Sequence, residues 1–387
     1  MNSTVKIYDS KPYCQTFSAQ VLSCVVCEGG WRVVLDRTAF FPGGGGQDPD
    51  RGSIGSCRLV GIFEEKGIIY HILDGPIPIG SSVKGSIDWD FRFTNMQNHS
   101  GEHILSGIVH SEMGYDNVGF HMNDRFITID FNGPMSDEEA LRMELLANRR
   151  IYDNLPILIS HPSAEELSHM KYRSKKELSG DVRIVQVGDV DICACCAPHV
   201  AHTGEVGLIK IIARENYKGG VRLTVLCGER ALLRFRQQTE TLSELCAMYS
   251  AMPERLTEAC TREQEELAAQ KESIGRLSDE IVEARTALLA NGRASVFHYE
   301  TLLDDIAARK LANRLSQAVC GRTAVLTARP EGGYHYILAS SAQDIRPFTA
   351  AWNSSFNGRG GGSEHMTQGA VSGSLEEMKA FFEGYED

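Results

Sequence analysis

Two pairs of metal-competent residues constrain this chain more than any other feature. Residues 98–107 read NHSGEHILSG, so His99 and His103 stand four apart. Residues 193–199 read CACCAPH, and Cys195 and His199 repeat that spacing about a hundred residues later. On a helix, residues four apart share a face, so both imidazoles of an HxxxH can address one ion. Alone, the pattern is better explained by partly buried histidines on an amphipathic helix. It is not the metalloprotease motif, because Glu102 does not follow the first histidine. The second pair shifts the reading toward metal, since zinc takes thiolate and imidazole ligands in tetrahedral sets, usually from two local pairs. A fold that satisfies both pairs must bring residues 99 and 199 together. Cys193 and Cys196 offer competing thiolates, and an apolar cluster of cysteines is the alternative.

At 387 residues the chain exceeds a single compact core, and two to four domains are expected. No apolar run approaches the ~18 to 20 residues that span a bilayer, and no membrane partner is expected. The N-terminus MNSTVKIYDS lacks the apolar stretch of a secretory signal. The 11 cysteines therefore read as thiols or metal ligands rather than a disulfide framework, and a cytoplasmic location follows. A net charge of −12 argues against binding polyanions through bulk charge, though a local basic surface is sufficient for a specific nucleic-acid contact.

The pattern along the chain predicts an α+β multidomain fold. Residues 1–92 read as short strands broken by turns at Gly29-Gly30, near Gly55 and at Lys66-Gly67, which suits a β-barrel or sandwich. Residues 93–228 form an α/β segment that carries both ligand pairs. Helical signals begin near Phe91, and a second helix is expected over 136–155, with Ser136 as N-cap and Glu139 completing a capping box. Residues 229–292 read as a helical arm. There Leu267, Ile274, Ile281 and Leu288 repeat every seven residues, with Leu277 and Ala284 between them, and Pro253 kinks or restarts the helix. Such a heptad suits either an arm packed on its own domain or a coiled-coil homodimer. Residues 293–387 are mixed again, with a β-hairpin over 323–341 and a glycine-rich loop over 356–373.

A further segment, LDRTAFFPGGGGQDPDRGSIG (35–55), is not a P-loop, because no Gly-Lys-Ser/Thr follows. It reads either as a surface turn or as backbone able to approach another surface closely, with Thr38 and Gln47 as polar probes.

Together HSGEH, CCAPHVAHTGEVG and DRTAFFPGGGGQ resemble the motifs of AlaX-type alanyl-tRNA editing proteins and of the editing half of alanyl-tRNA synthetase. The resemblance covers about 30–228, with GEVGLIKI and GGVRLTVLCGERAL similar to closing strands of that domain. The remainder resembles the helical arm and C-terminal domain of the synthetase, so nearly the whole chain is similar to the long form. The resemblance implies an N-terminal β-barrel, an α/β zinc-binding editing domain, a coiled-coil arm and a C-terminal α/β domain with a glycine-rich loop. It implies one Zn2+ held by His99, His103, Cys195 and His199. It also implies tRNA contact through Arg359, Gly360, Gly361 and Gly362.

Two departures stand out. The synthetase pattern CGGTH is CCAPH here, and Ser363-Glu364-His365 stands where synthetases tend to have Arg-Pro-Asp.

The function implied is a hydrolase acting in trans on tRNA(Ala) that wrongly carries serine or glycine. Only about 90 residues precede the HxxxH, so aminoacylation is not expected of this chain. A site that hydrogen-bonds the serine hydroxyl would disfavour alanine, which leaves the site's polar groups unpaired. Thr38 is the candidate reader by its place in the motif, with Gln47 second. Glu102 is a candidate general base or partner to an imidazole; the alternative is that it faces solvent. Lys171, Arg173, Lys175, Lys176, Arg149 and Arg150 are candidate phosphate contacts or simply a solvated charged face. Two other functions compete: a non-catalytic tRNA-binding or regulatory protein with a structural zinc, and a zinc hydrolase of another ester.

Overall fold

The computed structural model describes residues 3–174 and 182–385. The chain divides into two compact units, 1–244 and 245–387.

In the first unit, six strands close into a barrel: Thr16–Cys27, Gly30–Leu35, Gly52–Ile54, Cys57–Glu65, Ile68–Leu73 and Ser82–Ile87. Burial alternates along Ile68–Leu73, as expected where one face of each strand lines the barrel core. The turn at Lys66-Gly67 holds both residues at positive φ (50° and 78°), as a two-residue hairpin turn requires. The barrel core includes Val33, Leu35, Phe40, Ile54, Ile69 and Leu73.

The chain leaves the barrel directly into the long helix Trp89–Met113, capped by Asp88 at its start and by Gly114 in the left-handed region at its end. This helix packs with a four-stranded sheet (Ile209–Tyr217, Gly220–Cys227, Ile127–Phe131, Asn117–Met122) and with helix Asp137–Tyr152. The capping box of the second helix is formed by Ser136 and Glu139. A three-stranded sheet of Ile157–Ser160, Ile184–Val187 and Asp191–Ala194 carries the cysteine segment to the long helix.

Barrel and helix are joined by a buried ion pair. Arg92 donates Nε to Asp50 Oδ1 at 2.7 Å and also contacts Asp50 through Nη2. Its remaining donors reach the carbonyls of Pro12 and Ala39. Asp50 in turn accepts from the Phe41 amide at 2.6 Å, which ties down both ends of the glycine loop. Within the loop, Gly44 and Gln47 exchange backbone bonds at 3.1 and 3.0 Å. Gly46 has φ +89°, and a Cβ there would meet the Phe120 ring at 2.5 Å. Only glycine lets the loop lie this close to the sheet.

In the second unit, a 3-10 turn at Pro253–Arg255 restarts the chain into helix Leu256–Ala290. Ile281, Val282, Leu289 and Ala290 pack into the core of this unit, whereas Leu267, Ile274, Leu277 and Leu288 of the heptad are exposed. A five-stranded sheet follows, in the order Val296–Glu300, Thr323–Ala328, Tyr334–Ala339, Met366–Val371, Arg359–Gly362. The segment 356–373 expected as a glycine-rich loop is therefore a hairpin of Arg359–Gly362, at the sheet edge, and Met366–Val371, paired antiparallel so that Gly360 faces Gly369. Glycine's poor strand propensity hid this, and the pairing comes from the partner strand rather than from local preference.

Candidate metal centre

The fold brings His99, His103, Cys195 and His199 together, with their ligand atoms all within 4.8 Å of one another. His99 and His103 are one turn apart on the inner face of the long helix, and all three histidines are buried. Cys195 Sγ lies 3.5 Å from His99 Nε2 and 3.4 Å from His199 Nε2.

The outer nitrogens decide the chemistry. His99 Nδ1 pairs with Gln47 Oε1 at 2.8 Å, His103 Nδ1 with Asp191 Oδ2 at 2.9 Å, and His199 Nδ1 with Ser100 Oγ at 3.0 Å. Each Nδ1 is thus engaged by an oxygen; Gln47 Oε1 and Asp191 Oδ2 can only accept, which holds the proton of His99 and His103 on Nδ1 and leaves Nε2 for the centre. Histidines that bind metal are held this way. Three imidazoles and a sulfur make a donor set that suits zinc.

Burial and neighbouring charges act on the cluster in opposite directions. Burial pushes His199 down to about 3, against the opposing pull of the Cys195 sulfur. Burial alone would raise the Cys195 thiol, but His99 and His199 hold it well below the ordinary range. Burial also disfavours charge on His103, yet Glu102 and Asp191 beside it raise its pKa well above the usual value. Without an ion the cluster therefore favours a Cys195 thiolate beside a neutral His199 and a protonated His103.

Asp191, which the sequence reading overlooked, organises one side. Its two oxygens accept from Arg173 Nε and Nη2 at 2.7 and 2.8 Å while one also serves His103. Arg173 is consequently committed to this carboxylate and is not an open phosphate contact. Asp191 and Cys193 form a second potential ligand group with His103, but the arginine already occupies the carboxylate. Cys196 stands outside both groups.

Glu102 does not face solvent: it is buried, with Oε1 accepting from Ser106 Oγ at 2.8 Å and from Asn117 Nδ2. Its Oε2 is 3.7 Å from His103 Nε2. Gln47 touches the centre through His99, and its buried Nε2 has no hydrogen-bond partner. Thr38 is placed differently. It is fully buried in the barrel, with Oγ1 2.9 Å from His71 Nε2 and accepting from the Phe40 amide at 3.1 Å.

Of the other candidate cations, Arg150 is paired with Asp153 and Asp189, Lys171 and Arg149 are exposed, and Lys175 and Lys176 lie outside the described residues. Arg359 has no carboxylate partner among the described residues, and all of Arg359–Gly362 is exposed. Beneath that strand, Tyr336 OH donates to Asn353 Oδ1 at 2.9 Å, and Asn353 Nδ2 donates to the Gly360 carbonyl at 3.3 Å. A Cβ on Gly360 would meet Tyr336 OH at 2.5 Å.

Residues 182–224, which carry Cys195 and His199, match the family described as the threonyl and alanyl tRNA synthetase second additional domain. The chain is 28% identical over 395 residues to the alanyl-tRNA editing protein AlaX-L of Pyrococcus horikoshii, covering 96% of each chain. The chain is thus similar to a long AlaX-type editing protein along nearly its whole length. It is also 31% identical to an alanine–tRNA ligase of Archaeoglobus fulgidus and 30% identical to one of Methanopyrus kandleri. Those alignments take in 95% and 91% of this chain but only 42% and 41% of the ligases' lengths. The AlaX-L match, by contrast, runs through both compact units, including the arm and the glycine edge strand. Among the described residues, no helix is long and apolar enough to cross a membrane.

Proposed function

We propose that this chain is a trans-acting editing hydrolase that deacylates tRNA(Ala) carrying serine, with glycine as a second substrate. The observation that carries the reading is the four-residue donor set with every imidazole Nδ1 engaged, in a chain similar to AlaX-L along its whole length.

His99, His103, Cys195 and His199 would hold one zinc ion. When bound, zinc supplies Lewis acidity toward a carbonyl oxygen or a water molecule. Gln47 fixes His99 through its Oε1, since a metal-bound imidazole keeps its proton on Nδ1. Its Nε2 donors are then available to an oxygen of the substrate, which makes Gln47 the better candidate for recognising the serine hydroxyl. Thr38 is already bonded to His71 and supports the barrel behind the loop. Glu102 is the candidate base: Ser106 and Asn117 anchor Oε1, and Oε2 is turned toward the ligand cluster. Water adds to the acyl carbon, the ester bond to the ribose breaks, and Glu102 carries the proton that the water gives up. Arg359 and Gly360 to Gly362 present backbone and one guanidinium to tRNA phosphates. The exposed heptad face of the arm suits a homodimer, and the site of action is the cytoplasm.

One observation favours a second reading. Four protein ligands fill a tetrahedral set, as structural zinc sites do, which suits a tRNA-binding protein without turnover. Deacylation of seryl- and alanyl-tRNA(Ala) by the purified protein, with and without a chelator, separates the two. Chelator-sensitive release of serine is expected; tRNA binding with no release would leave only the second reading.

A further inference from the structure

A pocket of about 180 Å³ lies beside the glycine loop, walled by Tyr8, Asp9, Gly43, His161, Arg183 and Cys196. Lys6 and Glu64 also line it and neutralise each other at 2.8 Å. The unusual group is Arg183, which is only 8% exposed. Its Nη1 donates to the carbonyls of Cys195 at 2.7 Å and Ala197 at 3.0 Å, on either side of Cys196. Its Nε and Nη2 have no hydrogen-bond partner.

Two other arginines of this unit show what that edge of a guanidinium binds. Arg173 uses Nε and Nη2 to grip both oxygens of Asp191, and Arg222 does the same with Asp130. On Arg183 the same edge makes no hydrogen bond. Asp9 Oδ1 stands 3.6 Å from Nε, beyond hydrogen-bond reach. Asp9 balances the charge but leaves these buried N–H donors without a hydrogen bond, which is costly, so the edge suits a carboxylate or a similar anion.

Size and charge narrow the choice. The pocket falls below the ~300–1,000 Å³ of typical ligand sites, which excludes a nucleotide. A phosphate would face the carboxylate of Asp9. A small zwitterion instead satisfies both signs, with an anionic end for Arg183 and a cationic end for Asp9.

We infer that this pocket binds a free small amino acid, its carboxylate gripped by Nε and Nη2 of Arg183 and its ammonium beside Asp9. The assignment rests on the hydrolase reading, because it makes the occupant the reaction's product. In the aminoacyl ester the acyl carbon is bonded to a ribose oxygen, so no carboxylate exists. Once water has added and the ester C–O bond has broken, the ribose oxygen keeps a proton and the released acid ionises. The Arg183 edge therefore discriminates the released amino acid from the ester that supplied it. Because Arg183 also holds the loop that carries Cys195, the product rests directly against the metal centre's own loop.

The test is calorimetric titration of the full-length, zinc-loaded protein with L-serine, with L-serinamide (which lacks the carboxylate) and with AMP. L-Serine is expected to bind and the other two are not. Arg183→Lys keeps the charge but loses the paired edge, and should weaken L-serine binding by roughly ten-fold or more. Asp9→Asn leaves the bonds from Arg183 to the cysteine loop intact and should weaken it as well, so a folding defect in the first variant does not decide the matter. No L-serine binding, equal binding of L-serinamide, displacement by AMP or an unaltered affinity in Asp9→Asn would each overturn the inference. If L-serine binds but seryl-tRNA is not cleaved, it is the hydrolase reading that fails; cleavage without L-serine binding removes only the pocket's role.

Discussion

Gln47 Oε1 lies 2.8 Å from His99 Nδ1, so the glycine loop of the barrel and the helix of His99 and His103 meet through one hydrogen bond at the candidate metal centre. Gln47→Ala removes that bond together with the unpaired Nε2 donors. Loss of an outer partner of a metal-bound histidine typically costs about 10- to 100-fold in metal affinity or activity. Deacylation of seryl-tRNA should fall within that range. Single-turnover assays at saturating zinc check it, and an unchanged rate would remove Gln47 from the site.

The ligand set itself predicts metal content. Elemental analysis should find one zinc per chain in the parent protein and a large loss in His103→Ala. Asp191→Asn should keep zinc at saturation but release it faster to a competing chelator, again by about 10- to 100-fold in affinity, since His103 loses its anionic partner. Full zinc occupancy in His103→Ala would contradict the assigned ligands.

Thr38 and His71 make a different prediction, about stability. Thr38→Val keeps the shape and loses the bond to His71, at a cost of about 0.5 to 1.5 kcal/mol. Denaturant midpoints should drop while the ratio of seryl- to alanyl-tRNA cleavage stays the same. A several-fold fall in that ratio would instead restore Thr38 as the reader of the hydroxyl.

Burial lowers the His71 pKa to about 4 from the ordinary 6.5. Between those values the unfolded chain binds a proton that the folded chain does not. Stability therefore falls as pH drops from about 6.5 toward 4, by up to ~1.36 kcal/mol per pH unit for this one group. Comparing unfolding free energies at pH 7, 6 and 5 in the parent and in His71→Phe measures it. The variant should show a shallower loss in acid.

In the second unit, Gly360→Ala sets a methyl group against Tyr336 OH and the Gln368 carbonyl, which a Cβ would approach to 2.5 and 2.3 Å. The edge strand must shift, and Arg359 with it. Half-saturation by tRNA should rise while zinc content and the rate at saturating tRNA hold. Equal half-saturation would mean that this strand does not contact tRNA.

Much of the site could be read from the chain because its chemistry repeats locally. His99 and His103 share one helical turn, and Cys195 and His199 carry the same spacing. The barrel's turns were equally visible, since Lys66-Gly67 demands a positive φ that few residue pairs accept. The capping box at Ser136 and Glu139 was legible for the same reason: both partners lie within four residues. What is not legible locally is paired across the sequence. Asp191 precedes Cys193 in GDVDIC with no local sign that it will meet a histidine 88 residues away. The bond from Thr38 to His71 depends on barrel closure. Arg359–Gly362 became a strand only because Met366–Val371 offers it an edge. Glu102 turned inward because Ser106 and Asn117 were waiting there to bind its carboxylate.

The buried pair of Arg92 and Asp50 limits how this architecture can be recombined. Asp50 belongs to the barrel's loop and Arg92 to the first turns of the ligand helix. A chimera that inherited one from each of two parents would bury a charge without its counterion, at a cost of about 3 to 5 kcal/mol. That is a large share of the stability a domain has to lose. Barrel and helix must therefore travel as one hereditary block, and a useful crossover point lies downstream of the helix rather than at the visible junction near residue 88.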